Sequence, residues 1–181
     1  SNSCKSLKGF VSPTYILLES FRNIRSNIEF ILPKHKKAKT MLFTSSISGE
    51  GKTFCAVNIA TVYAISGKKT ILIGADLRKP KMFLTFTENN DVGISTYLSG
   101  MSSKEEIINN SKIENLDYIT SGPIPPNPAE LLGRDKMKDF IRELQNEYDC
   151  VIIDSPPVFI VSDIITLMEL VDLIIYVLRQ N

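Results

Sequence analysis

The sequence predicts an α/β domain with a doubly wound, mainly parallel sheet in a three-layer α/β/α arrangement. Three observations carry that expectation. Short apolar runs (Met41-Leu42-Phe43, Thr70-Ile71-Leu72-Ile73 and Val151-Ile152-Ile153) alternate with longer segments of helical character. Each run is apolar throughout rather than at every second residue, as a strand covered on both faces requires. Each also ends in small or acidic residues, and in a parallel sheet those strand ends share one edge, where ligands bind.

At 181 residues the chain is expected to form one domain with a substantial core. Its 43% apolar and 23% charged content is ordinary for a globular protein, and a net charge of +1 gives no overall drive toward nucleic acid. The basic run Lys34-His35-Lys36-Lys37-Ala38-Lys39 reads as a solvated linker. Cys4, Cys55 and Cys150 have no metal-ligand spacing and read as buried thiols of a reducing compartment. No apolar run reaches membrane-spanning length and no signal peptide is evident, so a soluble piece is expected. Ser1-Asn2 fits an expression remnant, which would make the chain an excised domain.

Residues 1–13 form an N-terminal extension, and residues 14–181 the domain. Leu17, Phe21, Ile24, Ile28 and Ile31 recur at helical spacing from about Tyr15 to Leu32, and Pro33 ends that helix. A strand over Lys39 to Thr44 leads to the loop Ser45-Ser46-Ile47-Ser48-Gly49-Glu50-Gly51-Lys52-Thr53, followed by a helix from Phe54 to Ser66 with Gly67 as its cap. A second strand, Thr70 to Ile73, opens into Gly74-Ala75-Asp76-Leu77-Arg78-Lys79-Pro80. Short helices are expected at Ile94 to Leu98 and near Lys104 to Asn109, and a third strand at Leu116 to Thr120. Four prolines among the eight residues Ser121 to Pro128 fix an extended loop. One helix is expected from Ala129 to Tyr148, then a strand at Cys150 to Ile153, a helix over Asp163 to Glu169, and a last strand at Leu173 to Leu178.

The loop ending in Gly51-Lys52-Thr53, between a strand and a helix, has the make-up of a phosphate cradle. Backbone N–H groups of Ser48, Gly49, Glu50, Gly51 and Phe54 would wrap the phosphates, Lys52 would reach their outer oxygens, and the Thr53 hydroxyl suits Mg²⁺. Against the pattern G-x-x-x-x-G-K-[ST], Ser46 stands at the first glycine. Asp154 follows its apolar strand as a metal-holding carboxylate would, and Asp76 is a second carboxylate able to hold metal or accept a proton. Arg78 could neutralise phosphate charge. Strand-end aspartates also cap helices, and Arg78 could be a plain surface residue. Convergence of two such aspartates on one Gly-Lys-Thr loop favours ATP or ADP with Mg²⁺.

Together these segments resemble the bacterial tyrosine kinases of capsule and exopolysaccharide assembly, which are P-loop NTPases. The resemblance rests on Ser45 to Thr53, Ile71 to Pro80, Val151 to Pro157, and Ser121 to Pro128 with Glu130-Leu131-Leu132. It extends to Glu19-Ser20-Phe21-Arg22-Asn23-Ile24-Arg25, which fits that family's Glu-x-x-Arg-x-x-Arg oligomerisation motif. It implies transfer of the ATP γ-phosphoryl group to protein tyrosines, mostly in trans between subunits of a homo-oligomeric, octameric ring contacting through Glu19, Arg22 and Arg25. Lys52, Asp76 and Asp154 would be catalytic, and Thr53, Asp76 and Asp154 would hold Mg²⁺. The domain would lie on the cytoplasmic side of the membrane, fused or bound to a membrane-embedded polysaccharide co-polymerase.

Two positions depart from that family's pattern. The first aspartate of its Asp-x-Asp segment is Gly74 here, and the six tyrosines are scattered rather than gathered in a C-terminal tail. Gly74 admits a nucleotide-gated assembly module that moves little phosphate as an alternative. Partitioning and septum-positioning ATPases share the sheet, but carry a lysine where this loop has Ile47.

Overall fold

The computed structural model describes residues 13–32, 36–158 and 167–179. Helix α1 (Pro13–Ile31) precedes β1 (Lys39–Ser45), and α2 (Lys52–Ile65) leads to β2 (Thr70–Gly74). A 3₁₀ turn (Met82–Thr85) and the short helices α3 (Ile94–Leu98) and α4 (Lys104–Ile107) follow, then β3 (Asn109–Asn110) and β4 (Leu116–Ile119). Helices α5 (Pro128–Gly133) and α6 (Asp135–Glu147), β5 (Cys150–Asp154) and β6 (Leu173–Val177) complete the described chain.

The six strands form one sheet in the order β3-β4-β2-β5-β1-β6, parallel throughout except for the antiparallel β3. The expected doubly wound α/β fold is therefore present. Side chains alternate between two cores. Leu42, Ile71, Ile73, Val151 and Ile153 face α3, α5 and α6, whereas Met41, Phe43, Leu72 and Ile152 face α1 and α2. Strand β5 lies between β1 and β2, which places Asp154 opposite Phe43 on one side and Gly74 on the other.

The helix expected over Ala129 to Tyr148 is two helices. Arg134 interrupts it with extended backbone (φ −69°, ψ 148°), closing α5 and opening α6. Both halves bury their apolar residues in the same core, so periodicity alone could not show the break. Strand β3 was not expected either, because asparagines favour turns over strands; backbone pairing with Tyr118 and Asp117 holds it, helped by Asn110 Nδ2 donating to Asp117 Oδ1 at 2.6 Å.

Helix α1 also packs differently from the expected apolar line. Leu17, Ile24 and Ile31 are exposed, and the buried line runs Phe21, Ile28 and Leu32, with Arg25 between them. The basic run is not a plain solvated linker: Lys36 pairs with Asp172, Lys37 Nζ donates to the Asn146 carbonyl at 3.0 Å, and Lys39 pairs with Glu29. Cys150 is buried but Cys55 only partly so. Cys4, and most of the helix expected over Asp163 to Glu169, lie outside the described residues. Among the described residues no helix is long and apolar enough to cross a membrane.

Candidate active site

Between β1 and α2 the chain turns through Gly49 (φ +98°) and Gly51 (φ +92°), left-handed conformations that side-chain-bearing residues rarely adopt. Open space lies where a Cβ on either glycine would be, so the constraint is backbone conformation. Two side chains stiffen the loop. Ser45 Oγ donates to the Ile47 carbonyl at 2.8 Å, and Glu50 Oε2 accepts the Ile47 N–H at 3.1 Å. Gly51 caps α2 without any side chain closing over the helix end, which leaves first-turn N–H groups directed at the loop.

Lys52 is the first residue of α2 and only 8% exposed. Its ammonium sits 3.2 Å from Asp154 Oδ1 and 3.6 Å from Asp76 Oδ2. Thr53 Oγ1 donates to Asp154 Oδ2 at 2.7 Å. The sheet order causes this meeting, because β5 carries Asp154 between the strands that precede the P-loop and Asp76. Burial pushes the Asp154 carboxyl above its ordinary range, the Lys52 ammonium and Thr53 hydroxyl pull it back, and Asp76 adds to the rise. Asp76 itself is held by the turn it starts, its Oδ1 accepting the N–H groups of Arg78 (3.3 Å) and Lys79 (3.0 Å).

Two hollows meet at this cluster. One of about 180 Å³ is lined by Gly51, Lys52, Thr53 and Asp76 together with the exposed Phe54, Lys79 and Lys81. The other, about 460 Å³, lies between Ser46, Ile47 and Ser48 of the loop and Asp76, Arg78 and Pro157. Ser48, Asp76 and Lys79 belong to both.

The described residues hold no group of three or more His, Cys, Asp or Glu side chains that could bind a metal by themselves. What they offer instead is a hydroxyl and two carboxylates beside a phosphate-type loop. That oxygen donor set fits Mg²⁺, which usually takes one or two carboxylates and completes its shell with phosphates and water.

Of the sequence-predicted residues, the structure brings together Ser48, Gly49, Gly51, Lys52, Thr53, Asp76 and Asp154, with Arg78 lining the larger hollow. Glu50 turns its carboxylate back on the loop. The Phe54 ring packs edge-to-face on Phe21, with centroids 5.8 Å apart, so only its backbone is placed to serve phosphates. The Glu19, Arg22 and Arg25 helix packs on α2 rather than forming part of the cluster. Glu19 and Arg22 pair with each other at 2.5 Å, and Arg25 donates to the Val62 carbonyl at 3.1 Å.

Three features of the site had no signal in the sequence. Tyr176 on β6 meets Ser46 with their hydroxyl oxygens 2.5 Å apart. Lys79 and Lys81 stand at the mouth of the smaller hollow. Gly74 is closely surrounded: a Cβ there would lie 2.8 Å from Met82 Cε, 3.0 Å from Ser121 Oγ and 3.3 Å from the Ser121 nitrogen, so a side chain enters only if the end of Met82 moves and Ser121 gives way. The Ser46–Tyr176 and Gly74–Ser121 contacts join residues far apart in the chain.

Comparison with known proteins agrees with this arrangement. The family model described as an AAA domain matches residues 38–180. The tyrosine-protein kinase YwqD of Bacillus subtilis is 43% identical over 159 residues, covering 88% of this chain and 67% of that protein. The tyrosine-protein kinase etk of Escherichia coli is 35% identical over 152 residues, 84% of this chain but 21% of that longer protein. The solved kinase domain of the Escherichia coli tyrosine kinase ETK superposes with a TM-score of 0.85 at 34% identity, covering 91% of this chain and 64% of that one. With the cluster built around Lys52 and a relative matched over two thirds of its length, the chain belongs to the bacterial tyrosine-protein kinases.

Proposed function

We propose that this domain transfers the γ-phosphoryl group of ATP to tyrosine hydroxyls, including those of other copies of its own chain. The observation that carries the reading is Lys52 between Asp154 and Asp76, with the Thr53 hydroxyl on Asp154. On this reading the loop N–H groups of residues 48–54 bind the phosphates and Lys52 swings from its carboxylate partners to the γ-phosphate oxygens. Thr53, Asp154 and Asp76 are the residues that would hold Mg²⁺, which when bound offsets the charge of the phosphates. The tyrosine oxygen forms the new bond to the γ-phosphorus. The bond to the β–γ bridging oxygen breaks with its electron pair leaving on ADP, and the phenol proton passes to the Asp76 carboxylate. Asp76 suits that role because its turn already orients it through two amide hydrogen bonds.

Further parts of the proposal rest on the family. Glu19 and Arg22 are free of contacts with the P-loop cluster and form the subunit contact of a ring, octameric as in the resemblance, while Arg25 supports that contact from behind. The domain works at the cytoplasmic side of the membrane beside a polysaccharide co-polymerase, fused or separate, and regulates polysaccharide export. Residues 14–181 form the kinase domain and 1–13 an extension to it.

The test is incubation of the full-length protein with ATP and Mg²⁺ followed by phosphotyrosine detection. Phosphotyrosine that disappears in Lys52→Met supports the proposal. ATP binding and ring formation without phosphotyrosine supports instead the assembly-module reading, which rests on glycine at position 74 where the resembled family has an aspartate. Hydrolysis stimulated by DNA or lipid, with no tyrosine transfer, supports an ATPase switch.

A further inference from the structure

The smaller hollow is lined by the buried Lys52 and Asp76 and the half-buried Thr53 together with three exposed residues, Phe54, Lys79 and Lys81. Lys79 and Lys81 are exposed, and neither ammonium has a carboxylate partner among the described residues. Their positions are fixed from below. The Lys79 amide is bonded to Asp76, and Lys81 precedes the 3₁₀ turn anchored by the buried Met82. Phe54 adds an exposed aromatic surface held in place by Phe21. The chain as a whole carries a net charge of only +1, so paired lysines at this mouth are a local feature rather than general basicity.

From this arrangement we infer that Lys79 and Lys81 select tyrosines flanked by carboxylate side chains, with the Phe54 ring packing on the incoming phenol. The inference rests on the kinase reading above and deepens it by naming the substrate class. An acceptor tyrosine reaching the γ-phosphate beside Asp76 crosses this edge, where neighbouring Glu or Asp side chains meet the two ammonium groups and neighbouring Lys side chains are repelled. Exposed ion pairs of this kind are individually weak, so together they set a preference of roughly three- to tenfold.

The experiment uses the full-length protein, ATP, Mg²⁺ and three tyrosine peptides of equal length whose flanking residues are Glu, Gln or Lys. The expected result is a KM for the Glu-flanked peptide roughly three- to tenfold below that of the Gln-flanked one, narrowing as salt rises. In the double variant Lys79→Gln, Lys81→Gln that preference is lost through a higher KM for the Glu-flanked peptide, and in Lys79→Glu, Lys81→Glu it passes to the Lys-flanked peptide. Equal KM values for the three peptides overturn the inference while leaving the kinase reading intact. A double variant that raises KM for ATP instead shows that the lysines serve the nucleotide, and also overturns it. Should no peptide be phosphorylated, phosphotyrosine on the protein itself decides the kinase reading, and fluorescence anisotropy of the same labelled peptides decides the lysine edge: tighter binding of the Glu-flanked peptide, lost in the double variant, upholds it, and equal binding overturns it.

Discussion

Arg25 of α1 donates a 3.1 Å hydrogen bond to the Val62 carbonyl in the last turn of the P-loop helix α2. The same carbonyl accepts the Ser66 N–H, so the cation sits at the negative end of the α2 dipole. One member of the Glu-x-x-Arg-x-x-Arg segment thus joins the two helices within the chain, whereas Glu19 and Arg22 form a surface pair. Arg25→Ala is expected to cost about 1–2 kcal/mol of stability, because the charged hydrogen bond and its dipole partner are lost together. Glu19→Ala and Arg22→Ala are expected to change stability by less than about 0.5 kcal/mol. Urea unfolding checks the first effect. Sedimentation velocity checks whether the latter two lower assembly without unfolding.

Lys52 balances two carboxylates that are themselves poorly hydrated. Lys52→Met is expected to abolish phosphoryl transfer and also to cost about 3 kcal/mol, since breaking a buried pair leaves a charge without compensation. Adding Asp154→Asn should restore most of that stability and none of the transfer. Thermal unfolding of the single and double variants, alongside phosphotyrosine detection, separates the two effects.

Gly74→Asp would supply the family's missing aspartate, but its Cβ would meet Met82 and both the side chain and backbone of Ser121. The substitution is expected to cost about 1–3 kcal/mol through overpacking and not to raise activity. A rise in phosphotyrosine yield with Gly74→Asp alone would contradict this account.

Glu29 pairs with Lys39 at the foot of β1. Partial burial alone would raise its carboxyl, yet hydrogen bonding and charge from Lys39 hold it below its ordinary value. A depressed carboxyl stabilises the fold above its unfolded pKa, and the contribution is lost as pH falls through the lower, folded value. Glu29→Gln is therefore expected to lower stability slightly, by under about 1 kcal/mol at neutral pH given its partial exposure. The gap to the parent protein should close in acid. Unfolding curves collected between neutral pH and about pH 3 test this sign.

The fold class and the Lys52, Thr53, Asp76 and Asp154 cluster were legible in the sequence because local signals specify them. Unbroken apolar runs mark strands covered on both faces, a parallel sheet collects their ends on one edge, and left-handed turns demand glycine at Gly49 and Gly51. The break at Arg134 and the pairing of Asn109 and Asn110 were not legible, since neither interrupts an apolar period nor follows residue preference.

What the sequence determined by itself was therefore the set of chemical groups and the edge on which they gather. Tertiary structure alone decided how those groups are used: that Lys52 lies between two carboxylates, that Arg25 caps α2, that Met82 and Ser121 close the space at Gly74, and that Lys79 and Lys81 stand at the mouth. The physical reason is range. Backbone conformation and strand burial are set by near neighbours in sequence, whereas occupied space and charge partners come from elements that meet only when the sheet assembles.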